Sequence, residues 1–165
     1  MLIGMVADTH DNLPVVDMAV EELNRRKVEL VLHAGDYVAP FVIPRLAGLK
    51  AKLIGVFGNN DGDCELLRQK FRERERLEVR GYFARVSVDG MEIGLLHGHQ
   101  DELLKALIDH ESFDIVVHGH SHEAETLRKG KTMVVNPGEL CGYLTGKSTF
   151  TVVDTDQMEA ELIEL

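Results

Sequence analysis

The chain has 165 residues, 44% of them hydrophobic and 28% charged, with a net charge of −10 at pH 7. That length suits a single domain over residues 1–165, whose core is large enough to fold without disulfides. The composition excludes a disordered chain, and the negative sign excludes a protein that coats nucleic acid by long-range attraction. The two cysteines, Cys64 and Cys141, sit in no redox or zinc spacing, which fits a reducing cytoplasm. The apolar start is short and is followed at once by Asp8, unlike a signal peptide, and no apolar stretch is long enough to span a membrane.

Residues 2–7 are apolar throughout and end in Asp-Thr-His, the pattern of a fully buried strand. Residues 13–26 place Val16, Ala19, Val20 and Leu23 at helical spacing, with Asn12 as N-cap and Pro14 in the first turn. Strand patterns at 29–33 and 52–57 then alternate with helical patterns at 39–49 and 64–72, where Pro40 and Pro44 blur the limits of the former. That alternation predicts parallel strands joined by right-handed crossovers. The run 72–76, Arg-Glu-Arg-Glu-Arg, alternates in sign and reads as a solvated stretch. Strands at 82–88 and 91–96 flank the hairpin turn Asp89-Gly90. A helix at 100–111 and a buried strand at 114–118 follow. Strand-like runs at 123–127, 132–135 and 148–153, then a turn and a run at 158–163, imply a second sheet packed on the first.

The informative feature is where the metal-type side chains fall. Asp8 and His10 follow the first strand, Asp36 the second and Asn59 the third. His97 ends the strand after the hairpin, and His120 and His122 follow the strand at 114–118. Five strands thus deliver a candidate ligand at their carboxyl ends, the edge where open α/β sheets build sites. Each piece alone reads as a loop or turn; six of the eight histidines between 97 and 122 make independent bland readings hard to sustain together. Imidazole and oxygen donors without thiolate favour manganese first, with nickel, cobalt, iron or zinc as alternatives, over calcium or magnesium.

Asp8-x-His10, Gly35-Asp36, Gly58-Asn59-x-Asp61, His97-Gly98-His99 and Gly119-His120-x-His122 resemble the five motifs of the calcineurin-like metallophosphoesterase superfamily. The compact length and Asn136-Pro137-Gly138-Glu139 are most similar to its YfcE-type small phosphodiesterases. The resemblance implies an α/β fold, a four-layer αββα sandwich, and two divalent metal ions. By position, Asp8, His10, Asp36 and His122 would hold the first ion. Asp36, Asn59, His97 and His120 would hold the second, with Asp36 bridging. It also implies hydrolysis of a small phosphodiester by a hydroxide that the ion pair activates. Two dications less the charges of Asp8 and Asp36 leave about +2, which suits a phosphodiester anion plus that hydroxide.

The third motif departs from the common pattern. Many members carry a histidine where this chain has Asn60, and an amide donates a hydrogen bond but delivers no proton near neutral pH. His99, two residues after His97, is the candidate replacement acid, and Asp61 is expected to orient the ligand loops. The alternatives are a phosphomonoesterase or nucleotide hydrolase on the same site, and a non-catalytic scaffold like the small retromer subunit. Self-association as a homodimer is expected from the family.

Overall fold

The computed structural model describes residues 1–165 as eleven strands and four helices. The first half supplies β1 (Leu2–Val6), α1 (Leu13–Arg26), β2 (Leu30–His33), α2 (Val42–Leu46), β3 (Lys52–Gly55), α3 (Cys64–Arg72) and β4 (Leu77–Val79). The second half supplies β5 (Phe83–Val88), β6 (Met91–Leu96), α4 (Asp101–Asp109), β7 (Ile115–Val117), β8 (Ala124–Lys129), β9 (Thr132–Pro137), β10 (Thr149–Asp154) and β11 (Glu159–Glu164). They form a six-stranded sheet, β11-β10-β1-β2-β3-β4, and a five-stranded sheet, β5-β6-β7-β9-β8. No helix is long and apolar enough to cross a membrane.

The two-residue period of the strands builds the layers. On β1, Ile3 and Met5 join the core between the sheets, where Leu32, Ile93, Leu95, Ile115 and Val117 meet them. The alternate residues Val6 and Val31 face the other way, into a cluster with Val16, Leu23 and Phe71 from α1 and α3. On the far side, Leu96 and Val116 pack with Phe113 beneath Leu104, Leu107 and Ile108 of α4. Helix, sheet, sheet, helix is the αββα order expected from the motif pattern.

Within each sheet, β1, β2, β3 and β4 run parallel, as do β6, β7 and β9. Seven carboxyl ends therefore open on one edge of the sandwich. Five of them were legible as ligand-bearing; a sixth, after β9, delivers Glu139.

Several elements differ from expectation. β4 has no counterpart in the sequence reading, because three residues behind an exposed charge run show no alternation to read. The second helix shrinks from 39–49 to Val42–Leu46: Pro40 lies outside it, and Pro44 sits in its first turn, where its missing N–H is harmless. Asn12 occupies the N-cap position of α1 but makes no capping bond; its side chain instead donates to the carbonyl of Cys141 at 2.8 Å. The 72–76 run is exposed, as expected of a solvated stretch.

Candidate metal centre

Asp8, His10, Asp36, His120 and His122 all have left-handed backbones, with φ of 53°, 38°, 61°, 70° and 63°. A non-glycine residue held there is strained, and such strain persists where the surroundings over-determine it. The surroundings here are backbone bonds between strand ends. Asp8 N–H donates to Gly35 O and His10 N–H to Asp36 O, both at 3.1 Å. Leu140 N–H donates to Ala7 O and Cys141 N–H to Asp8 O, both at 3.0 Å, which joins the β9 end to the β1 end. Gly58 is required for close approach: a Cβ there would lie 2.0 Å from Asp36 Oδ1.

The side chains converge on two buried carboxylates. Asp8 Oδ1 has His122 Nε2 at 3.4 Å, His10 Nε2 at 3.7 Å and His97 Nε2 at 4.0 Å. Asp36 Oδ2 has His97 Nε2 at 3.3 Å and His10 Nε2 at 3.5 Å. Asp8 Oδ1, His10 Nε2 and His97 Nε2 are buried and find no hydrogen-bond partner. Donors about 2.1 Å from a shared divalent ion sit roughly 3–3.5 Å apart, a spacing met by Asp8 Oδ1 with His122 Nε2 and by Asp36 Oδ2 with the Nε2 atoms of His97 and His10. The residues fit a divalent metal.

The electrostatics point the same way. Asp36 is held well below the usual carboxylate range: burial opposes its ionisation, but His97 and two N–H groups of Asn60 outweigh it. The His10 pKa is raised, first by the Asp8 carboxylate beside it, against the effect of burial. Burial works to lower that of His97, yet the adjacent Asp36 carboxylate raises it. Two imidazoles drawn toward the cationic form around two carboxylates describe a centre that attracts positive charge.

Around this pair, ring nitrogens are aimed by their other faces. His97 Nδ1 donates to Ala34 O at 2.8 Å and His122 Nδ1 to Glu139 Oε2 at 2.7 Å, leaving each Nε2 for the centre. His120 is held by its backbone N–H on Asp8 Oδ2 at 3.0 Å, and its ring lies 5.2 Å from that of His97. His99 stands 5.6 Å from His97 and 6.2 Å from His120, half-buried, with burial first and His97 second lowering its pKa. Asn59 is exposed in the loop after β3 and makes no hydrogen bond to the other candidate ligands. Asn60 holds Asp36 twice, side chain to Oδ2 at 2.6 Å and backbone N–H to Oδ1 at 2.9 Å. Asp61 accepts from the N–H groups of Gly58, Val38 and Asp36 at 2.7, 2.8 and 3.2 Å, which ties the second and third loops together. Asn136 braces the histidine loop from Gly119 O at 3.2 Å and Ser121 Oγ at 2.8 Å.

Glu139 is the residue that sequence reasoning passed over, using its stretch only for likeness. It is fully buried, and its pKa is held near about 2: burial pushes it up, but donors from Thr145, Cys141 and His122 outweigh that. The same bond, together with burial, pushes the Cys141 thiol up to about 12, so sulfur enters the site as a neutral donor. No local signal marks it, since Asn-Pro-Gly-Glu at 136–139 reads as a turn.

The sequence profile of the calcineurin-like phosphoesterase superfamily domain matches residues 1–158. The chain belongs to that superfamily. It is 38% identical over its full length, and 99% of the relative's, to phosphodiesterase MJ0936 of Methanocaldococcus jannaschii. Phosphodiesterase YfcE of Escherichia coli is 24% identical over 85% of this chain and 79% of its own. A solved archaeal phosphodiesterase superposes with a TM-score of 0.96 at 38% identity, each chain fully covered. Vps29 of Entamoeba histolytica, bound to zinc, superposes at 0.70 with 19% identity over 99% of both chains, which shows a shared fold alone.

Behind the centre, His33 is fully buried, stacked 4.0 Å from the ring of Tyr37, with Nδ1 accepting from Gly35 N–H at 3.1 Å. Burial, and next the nearby His97, push its pKa down to about 3. Between pH 6.5 and that value the unfolded chain binds a proton that the native state refuses, so acidification destabilises the fold. The contribution of His33 to the loss between pH 7 and pH 5 is expected to be about 2 kcal/mol, opposed by His10 and His97, whose raised pKa values act in the other direction. Urea unfolding of chelated protein at the two pH values checks this; a His33→Asn variant with the same pH dependence as the parent sinks the assignment.

Proposed function

We propose that this chain hydrolyses small phosphodiesters at a centre completed by two divalent transition-metal ions. Asp8, His10, Asp36 and His122 would hold one ion and Asp36, Asn59, His97 and His120 the other. Manganese comes first among the candidates, with nickel, cobalt, iron or zinc as alternatives for an oxygen and imidazole donor set. When bound, such ions supply Lewis-acid charge and make hydroxide available near neutral pH.

The observation that carries this reading is the ring of three imidazole Nε2 atoms within 4.0 Å of the unpartnered Asp8 Oδ1. The phosphodiesterase relatives named above add to it. The protein's own groups do the remaining work. Asp36 and Asp8 set the centre's charge, the backbone bonds of Asp61 fix the loops, and Asn60 and His99 line the rim where a leaving group departs.

Charge favours a diester over a monoester. The sequence reading counted Asp8 and Asp36 alone. Buried Glu139 lowers the surplus of two dications from about +2 to about +1; with the hydroxide counted, a singly charged diester leaves the site at about −1 and a doubly charged monoester at about −2, so the diester is the better match.

The test is turnover of a chromogenic aryl phosphodiester and the matching monoester by chelator-stripped protein, with each metal added back separately. Transition metals are expected to restore activity, at least about tenfold higher on the diester. No turnover while two ions are bound overturns the reading and favours a partner-binding role for the same fold.

A further inference from the structure

We infer that Glu139 is a positioning residue: one buried carboxylate both fixes the tautomer of His122 and anchors the loop that begins at Cys141. The inference rests on the reading of His122 as a metal ligand.

Glu139 is 0% exposed and follows β9, a parallel strand of the site edge to which the motifs assign no ligand. Its Oε2 accepts from His122 Nδ1 at 2.7 Å, Cys141 Sγ at 3.0 Å and Tyr143 N–H at 3.1 Å. Its Oε1 accepts from Leu144 N–H at 2.9 Å, Thr145 N–H at 2.5 Å and Thr145 Oγ1 at 2.8 Å. Six donors crowd onto two oxygens that offer about four lone-pair sites, a demand that only an ionised carboxyl group approaches.

Two consequences follow from geometry. With Nδ1–H donated to Glu139, a neutral His122 presents an unprotonated Nε2, which lies 3.4 Å from Asp8 Oδ1. A carboxylate behind a ligating imidazole also raises its basicity, and losing such a partner typically weakens metal binding 10–100-fold. Second, the backbone N–H groups of residues 143–145 all donate to Glu139 and to no other residue. Tyr143 and Leu144 are 62% and 74% exposed, so their N–H bonds to Glu139, rather than packing of their side chains, hold the turn in place. Loop order and affinity for the ion at His122 are then a single property.

Glu139→Gln keeps the shape but offers one acceptor oxygen and turns an N–H₂ toward the ring of donors. Titration of the metal-free variant with cobalt(II) alone is expected to show one of two sites weakened 10–100-fold and the other unchanged. Hydrogen exchange of the amides of residues 143–145 is expected to accelerate in the same variant. Two sites of parental affinity, or parental exchange at those amides, overturn the inference. Should the variant not fold, nitrogen NMR of the parent decides: His122 protonated on Nε2 instead of Nδ1 overturns it. None of these readouts uses turnover, so a parent that binds two ions without hydrolysing a diester refutes the proposed function while leaving Glu139 to be judged separately.

Discussion

Replacing Asp36 by asparagine is expected to cost at least about 10³-fold in phosphodiesterase activity, on the order of 4 kcal/mol of transition-state stabilisation. It is also expected to reduce the ions bound per chain. Asp36 Oδ2 is the point where His97, His10 and Asn60 meet, at 3.3, 3.5 and 2.6 Å. An amide at this position removes one of the two carboxylate charges nearest the ions. It also directs an N–H₂ group toward either the Asn60 amide donor or the Asn60 backbone N–H, so one buried pair of donors must face each other. Metal analysis after dialysis, beside kcat/KM and a circular-dichroism check of folding, measures both effects. A folded Asp36→Asn protein that keeps two ions and more than about a tenth of the parental rate refutes the bridging role.

How far the centre could be read from sequence depends on whether a residue's chemistry shows in its neighbours. Asp8, Asp36, His97 and His122 stand within five residues of the ends of buried apolar strands, and a switch from apolar residues to ligand types past a strand end is visible in one dimension. The layer order was legible for the same reason, since β1, β2 and β7 are apolar enough to be covered on both faces. β4 was not, because its pairing with β3 is decided by a neighbour in space. Asn12 misled for a related cause: local spacing offered it as a helix cap, while a carbonyl at position 141 claimed its side chain. Glu139 lies furthest from legibility. Its burial depends on donors from two segments, the histidine loop and the turn at 143–145, and neither contact has a signature in its own strand.

The leaving-group dependence of hydrolysis is expected to be steep, with alkyl phosphodiesters slower than aryl ones by about 10²–10⁴-fold, the usual contribution of a general acid. At position 60 the chain offers an amide, and that amide already donates to Asp36 at 2.6 Å. It can hold the bridging carboxylate in place but has no proton to give to a departing alkoxide. A phenolate-type leaving group needs little help, so the deficit appears only as the leaving-group pKa rises. Asn60→His is accordingly expected to speed alkyl esters at least about tenfold and to leave aryl esters nearly unchanged. Because the substitution also removes a hydrogen bond to Asp36, metal content must be measured alongside, so that loss of ions is not mistaken for failed proton transfer. A parental protein whose rate is flat across the series has another donor. His99, half-buried beside His97 and His120, is the group to remove next. His99→Gln would then turn a flat dependence steep, and a dependence that stays flat in that variant places proton delivery outside the protein's side chains altogether.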